Sequence, residues 1–489
     1  MTRRSCLPIS VVLVLIPGLA SAQSDVAFPP EAYAGRRGRL LERTGQAAVV
    51  VPGAYLIGNG GHDKQDPTFW YLTGVESPYA ILVIAPTAGG GHREALFLPE
   101  PFQFAGAQYP MADERFRRAA WNLPIRRLFP GPEAQRATGI AETYPLSVFT
   151  MRLRELAASA DTVYLPKGGA ALYAPPAMPV PLSMGQQFAR DLAPVLPGKV
   201  MADVSPLVAR MRLIKDQHEI AALRRAAEIS AASFREVLRT LKPGMNDLEV
   251  AGLMEYVWKR EGSPRAAFGP IVSSGSSAVG LFTLKSENYN STDRAMQAGE
   301  LVFLDYGAAE FQTYASDVCR TYPVSGRFTD EQRKYYEIVL EAQEAAIASV
   351  RPGVAMLEVI RAAARVYRNH GLEQYEDVER MGVDKVWGVM PSPTHYLARN
   401  GGLTAYSAAG TGVRDLGHHI GLEATDSRDY SQPLEAGMVF TIEPKLYIPE
   451  RGIAIMIEDV ILVIPTGREN LSAAAPRTVE DIEGAMRSR

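Results

Sequence analysis

Four carboxylates stand where carboxylates are expensive. Asp305 closes the apolar run Leu301-Val302-Phe303-Leu304, and Glu443 closes Met438-Val439-Phe440-Thr441-Ile442, each six residues after a glycine, Gly299 and Gly437. A second acid follows each on what should be the returning strand. Asp317 comes twelve residues after Asp305, and Glu458 fifteen residues after Glu443, inside Ile455-Met456-Ile457-Glu458-Asp459-Val460-Ile461. An ionised carboxylate buried without a partner costs several kcal/mol, so such groups require a cation or a hydrogen-bonding network. One such residue could be a structural ion pair. Two matched pairs point instead to an oxygen-lined site for cations, most simply two of them. A histidine ligand is then expected, and Gly417-His418-His419-Ile420-Gly421 offers His418 between glycines that allow close backbone approach.

The elements that must carry these groups are duplicated. LKPGMNDLEV (Leu241–Val250) returns as VRPGVAMLEV (Val350–Val359) at a constant offset of 109, and Gly262 maps to Gly371 at the same offset. Asp216 with Glu219, and Thr329 with Gln332, have the spacing of capping boxes that open one long helix in each copy. Ile220, Leu223, Ala227, Phe234 and Leu238 recur at helical period along the first. Lys242-Pro243-Gly244 stops that helix, and Asn246 with Glu249 opens another that runs to about Gly262. A two-fold arrangement of the copies brings the carboxylate pairs face to face.

Ahead of this unit lies an α/β pattern. Ala47–Pro52, Ala80–Ala85 and Ala95–Leu98 read as strands. Gly89-Gly90-Gly91 lacks the Lys-Ser/Thr of a phosphate loop and reads as a turn. Proline- and alanine-rich stretches near residues 165–200 suggest a smaller α/β domain over 23–203 and a second domain over 204–489. Residues 1–22 read as a secretory signal: Arg3 and Arg4, then an apolar stretch from Ile9 to Leu19, then Ala20-Ser21-Ala22 for cleavage. The expectation is an exported protein, periplasmic or secreted, with no membrane attachment after cleavage. Cys6 would leave with the signal, so Cys319 would remain without an internal disulfide partner. The 51 Lys+Arg nearly balance the 54 Asp+Glu and form no lysine-rich block, so nucleic acid is not an expected partner. With 47% apolar and 21% charged residues in 489, neither a disordered polymer nor a polytopic membrane protein is indicated.

Five segments, in order, resemble the pita-bread metallopeptidases, the family of aminopeptidase P, prolidase and, more distantly, methionine aminopeptidase. They are LDYG at Asp305, ASDVCRTYPVSGRFT at Asp317, GHHIGLE at His418, TIEPKLYI at Glu443 and MIEDVIL at Glu458. RLIKDQHEI (Arg212–Ile220) is similar to the family's lead-in to its catalytic domain, and DPTFWYLTG (Asp66–Gly74) to the N-terminal domain of aminopeptidase P and prolidase. The resemblance implies an α+β fold, with a C-terminal pita-bread catalytic domain behind a smaller α/β N-terminal domain. It implies a dinuclear centre in which Asp305 holds one metal, His418 and Glu443 hold the other, and Asp317 and Glu458 bridge. Glu443 is assigned the transfer of a proton from water to the leaving amine. Mostly oxygen ligands with one imidazole suit Mn2+, and Zn2+, Co2+ and Fe2+ also fit. The implied reaction is hydrolysis of the bond between an N-terminal residue and proline in a peptide, by a homo-oligomer (dimer or tetramer).

The chain departs from the family pattern around the implied ligands. A histidine usual before the first aspartate is missing from Gly280-Leu281-Phe282-Thr283, Arg414 replaces one four residues before His418, and Thr425, followed by Asp426, replaces a third. Met456 stands where an arginine is usual, and the Asp305–Asp317 spacing is one residue longer. Those histidines position substrate and stabilise the oxyanion, and losing one such donor costs about 10²–10³ in rate. Arg414, His419 and His395 are the candidate replacements, with an ion pair to Asp415 the plainer role for Arg414. Two other readings stay open: the same centre acting on another amide, an ester or a phosphotriester, or a catalytically weak binding homologue. Cys319 shares the strand face of Asp317 and is expected to be a small buried residue rather than a ligand.

Overall fold

The computed structural model describes residues 27–53, 64–100, 128–167, 182–283, 293–371, 416–426, 432–448 and 451–488. The 1–22 signal, His395 and Arg414 lie outside these described residues.

The first part of the chain builds a six-stranded sheet in the order β4-β3-β2-β1-β5-β6. Along the chain its elements are α1 (Pro30–Thr44), β1 (Ala48–Pro52), α2 (Pro67–Thr73), β2 (Ile81–Pro86), β3 (His92–Leu98), α3 (Pro132–Thr138), β4 (Glu142–Pro145), α4 (Phe149–Leu156), β5 (Thr162–Leu165), α5 (Met184–Leu192) and β6 (Val200–Asp203). Alternation along β1 explains its unbroken apolar run. Val49 and Val51 join one core with Leu40, Phe69 and Ala134 from α1, α2 and α3; Ala48 and Val50 join another with Phe149, Leu153 and Leu192 from α4 and α5. A strand covered on both faces has no polar side to show. The three expected strands are present, and β3 begins earlier, at His92, because its charged start pairs at the surface, Arg93 with Glu142. Gly90 and Gly91 take positive φ in the turn ahead of it. DPTFWYLTG is helix α2: the Asp66 side chain accepts from Phe69 N–H at 2.9 Å, and Gly74 ends it in the left-handed region.

The second part runs α6 (Ser205–Leu213), α7 (Gln217–Thr240), α8 (Asp247–Arg260), β7 (Val272–Ser274), α9 (Ser276–Thr283), β8 (Leu301–Leu304), β9 (Glu310–Phe311), β10 (Tyr314–Ala315), β11 (Arg320–Pro323), α10 (Asp330–Ser349), α11 (Met356–Asn369), β12 (Val439–Ile442), β13 (Lys445–Ile448), β14 (Ile453–Met456), β15 (Asp459–Ile464), β16 (Gly467–Asn470) and α12 (Val479–Arg487). Capping boxes at Asp216–Glu219, Asn246–Glu249 and Thr329–Gln332 open α7, α8 and α10 as their spacing requires. The repeat is structural: α8 and α11 are both 14 residues long and begin and end at the same offset. Gly244 and Gly353, between the paired helices, have φ of +90° and +83°, a turn that disfavours any side chain. Each copy supplies an antiparallel strand pair within a three-stranded sheet, β11-β8-β7 and β12-β15-β16. The chain is therefore α+β, a smaller α/β domain followed by a duplicated helix-and-strand domain.

Buried cations join the two parts, Arg36 foremost among the described residues. Arg36 on α1 reaches the N-terminus of α7, with Nη2 2.8 Å from Asp216 Oδ2 and 3.5 Å from Glu219 Oε2. Its guanidinium lies over the Tyr71 ring, and Tyr314 Oη donates to Glu219 at 2.9 Å. A charge this deep is tolerated because each partner is itself hydrogen-bonded. No helix among the described residues is long and apolar enough to cross a membrane.

Candidate metal centre

Register decides which side chains meet. The β12/β15 ladder pairs Ile442 with Asp459, and the β13/β14 ladder pairs Lys445 with Met456 in the same frame. Glu443 therefore stands opposite Glu458 in the gap between them. In the other half, β8/β11 pairs Leu304 with Arg320, which sets Asp305 across from Cys319. Asp317, two residues before Cys319, returns to the same face. Glu458 N–H donates to the Cys319 carbonyl at 3.0 Å and stitches the halves together. Arg320, fully buried, braces this junction: Nη1 donates to the carbonyls of Cys319 (2.9 Å) and Glu458 (2.6 Å), and Nη2 to Asp459 Oδ1 (2.7 Å).

The histidine arrives on a third segment. Residues 416–420 run beside β12: Glu443 N–H donates to the Leu416 carbonyl (2.7 Å), Thr441 N–H to the His418 carbonyl (2.8 Å), and His418 N–H to Thr441 Oγ1 (3.0 Å). Only glycine fits at 417, because a Cβ there would collide with the Thr441 carbonyl. The far end of this loop is anchored to the RLIKDQHEI segment, where Asp426 pairs with Arg212 and, at 3.4 Å, with Lys215.

The structure brings Asp317, His418 and Glu458 together, with Glu443 beside His418 and Asp305 close enough to feel the charges of Asp317 and Glu443, and all four carboxylates are buried. His418 Nε2 lies 3.4 Å from Asp317 Oδ2 and 3.8 Å from Glu443 Oε1. Asp317, His418 and Glu458 each offer a ligand atom within 4.8 Å of the others. The crowding shows in proton affinities. Burial, then the charges of Asp317 and Glu443, push the Asp305 carboxyl well above the usual range, and Glu458 is raised in the same way. Burial raises Glu443 as well, against the pull of Lys445 and His418. Burial alone would lower His418, but its hydrogen bond to Asp317 and the charges of Asp317 and Glu443 raise it to about 9. Glu458 Oε2 is buried with no hydrogen-bond partner among the described residues. An orphaned carboxylate oxygen, three more acids and one imidazole are a donor set that divalent cations fit.

His419 is a correction to expectation. Consecutive residues of an extended segment face opposite ways, so its ring turns from the acids to lie edge-on to Phe440, with centroids 6.0 Å apart. Burial and the nearby Lys215 charge push its imidazole down to about 3, leaving it neutral, and its place against Phe440 rather than among the acids makes it no replacement for a missing donor. This has a measurable consequence. The unfolded chain takes up that proton near 6.5 and the folded chain near 3. Stability from neutral His419 is complete above pH 6.5 and is lost as pH falls through that window, at about 1.4 kcal/mol per pH unit. His419→Phe is expected to flatten the pH dependence of urea-unfolding free energy by one proton there; an unchanged slope would contradict the assignment.

Cys319 is a buried free thiol among Ile271, Phe303, Ala454 and Met456, and burial, then the charges of Asp305 and Glu458, push its pKa up, away from the thiolate a metal would need. The sequence pattern does not single out Lys445, whose Nζ lies 3.1 Å from Glu443 Oε2. Period-two spacing from Glu443 is the signal that finds it.

Known proteins resemble the chain over most of its length. The model of metallopeptidase family M24 matches residues 221–465, and that of the aminopeptidase P N-terminal domain matches residues 33–164. The Xaa-Pro aminopeptidase of Escherichia coli (strain K12) is 30% identical over 470 residues, covering 92% of this chain and 96% of that protein. The Xaa-Pro aminopeptidase of Haemophilus influenzae is 29% identical, covering 94% and 98%. Among solved structures, aminopeptidase P from E. coli with the inhibitor Pro-Leu superposes with a TM-score of 0.73 at 28% identity, covering 94% of this chain and 99% of that one. The zinc-substituted E. coli enzyme in complex with product gives the same figures.

Proposed function

Because the chain belongs to metallopeptidase family M24 and carries an aminopeptidase P N-terminal domain, we propose that it removes the N-terminal residue from peptides whose second residue is proline. The observation that carries this reading is the cluster of Asp317, His418 and Glu458, with Glu443 3.8 Å from His418, Asp305 close enough for its charge to act on Glu458, and a Glu458 oxygen without a hydrogen bond among the described residues. Two divalent ions would sit here, Asp305 on one, His418 and Glu443 on the other, and Asp317 and Glu458 between them. Manganese suits this set, as zinc, cobalt and iron do. Bound ions supply Lewis-acid activation of water and of the scissile carbonyl.

The chain's own groups do the rest. Glu443 accepts the proton from water and returns it to the leaving amine, a task suited to a carboxylate whose proton affinity burial has raised. His418 would have to give up its proton to hold a cation, so cation uptake would release protons. Asp317 and Glu458, on opposite halves of the duplication, fix the spacing between the two positions. Export after cleavage near Ala22 and assembly into a dimer or tetramer belong to the same proposal; N-terminal sequencing of the mature protein and light scattering test them.

A second reading keeps the centre and changes the substrate to another amide, an ester or a phosphotriester. It is favoured by the residues around the site: no histidine in α9, Thr425 in the loop after His418, and Met456 on β14. A substrate panel decides. With manganese added, Xaa-Pro dipeptides and longer Xaa-Pro peptides are expected to release their first residue, and matched peptides without proline to stay intact. Turnover of a non-proline substrate alone would favour the second reading. No turnover of any substrate would leave a binding homologue.

A further inference from the structure

The frame that sets Glu443 opposite Glu458 sets Lys445 opposite Met456. Directly opposed residues share a face, and so do residues two apart on one strand. Glu443, Glu458, Lys445 and Met456 therefore form a square on one side of the paired strands, where the β12/β15 and β13/β14 ladders meet. Lys445 is buried, and its backbone is held there by the Tyr367 hydroxyl, which donates to its carbonyl at 3.2 Å. The two oxygens of Glu443 face different partners: Oε2 is 3.1 Å from Lys445 Nζ, and Oε1 is 3.8 Å from His418 Nε2. A strongly hydrated ammonium is not buried without a partner, and the surrounding acids supply that partner.

The geometry points to Lys445 as a positioning residue that holds Glu443 Oε2 through one lone pair, leaving the second lone pair of that oxygen for the proton from water and Oε1 as the single metal-facing atom. This rests on the reading of Glu443 as a ligand. Freed of the ammonium, the carboxylate can rotate or chelate through both oxygens, and its proton transfer loses alignment. Misplacement of about 1 Å costs on the order of 10²-fold in rate.

The test uses full-length protein exchanged into cobalt, whose visible absorption reports coordination. Lys445→Met is expected to keep its metal content by elemental analysis, to change the cobalt spectrum, and to lose roughly 10²-fold in kcat with little change in KM. Lys445→Arg, which retains a cationic donor, is expected to recover both. So is Lys445→Met combined with Met456→Arg, because position 456 presents its side chain to the same face. If Lys445→Met does not fold, Lys445→Gln carries the comparison. A folded variant with the wild-type spectrum and wild-type kcat overturns the positioning role while leaving the metal centre intact. A wild-type protein that takes up no cobalt overturns the centre itself, and the role of Lys445 with it.

Discussion

Glu443→Gln is expected to lower kcat by about 10²–10⁴-fold, the range that a positioned general acid–base contributes. The amide is nearly isosteric and retains a carbonyl oxygen, so it can still face His418. It has lost the ability to take a proton from water and hand it on. It also sets an uncharged amide beside the buried Lys445 ammonium, which currently faces Glu443 Oε2 at 3.1 Å. The loss should therefore fall mainly on kcat, with KM changing little, and metal content should fall only in part because Asp305, Asp317, His418 and Glu458 remain. Steady-state kinetics on an Xaa-Pro peptide, with elemental analysis of the same sample, reads both quantities. A variant retaining more than a tenth of wild-type kcat would remove Glu443 from the proton path.

Asp317→Ala should have an effect of a different kind. Asp317 is the nearest acid to His418, at 3.4 Å, and its charge is the first neighbour acting on both Asp305 and Glu458. Its removal takes away the oxygen proposed to be shared between two ions, so metal content is expected to fall below one equivalent and turnover to vanish. The stability signature is more telling. Without metal, the variant relieves the crowding on Asp305 and Glu458 but strands His418 without its partner, so its urea midpoint should lie near that of wild type. With metal, wild type should be clearly the more stable. A ligand at 1,000 times its Kd stabilises the folded state by about 4 kcal/mol, and only wild type retains such a site. Chemical denaturation with and without manganese measures the difference. A wild-type metal content below one equivalent that does not respond to this substitution would point to a binding homologue in which the acids are held by other means.

Much of this was legible in the sequence because its causes are local. A capping box is a relation between residues three apart, so Asp216, Asn246 and Thr329 announce their helices, and the structure shows all three boxes formed. A carboxylate in an apolar strand is costly wherever the strand lies, so Asp305, Asp317, Glu443 and Glu458 stand out before any fold is known. Their pairing followed from the matched pattern of the two copies, in which the first acid stands six residues after a glycine and the second on the returning strand.

Other features depended on contacts that no local pattern encodes. His418 and His419 are adjacent and chemically identical, yet one meets Asp317 and the other lies against Phe440. The choice follows from the hydrogen bonds of residues 416–420 to β12, which set the face on which odd and even residues fall. Lys445 looks like an ordinary surface-compatible residue until β13 and β14 pair in the frame of β12 and β15. Arg320 reads as one strand arginine among many, but its guanidinium joins Cys319, Glu458 and Asp459 across the duplicated halves. Composition and spacing specify which groups exist and how far apart they lie along the chain. Which of them turn inward together is decided when distant strands lock into one register, because a slip of one residue would send every one of these side chains to the opposite side of the sheet.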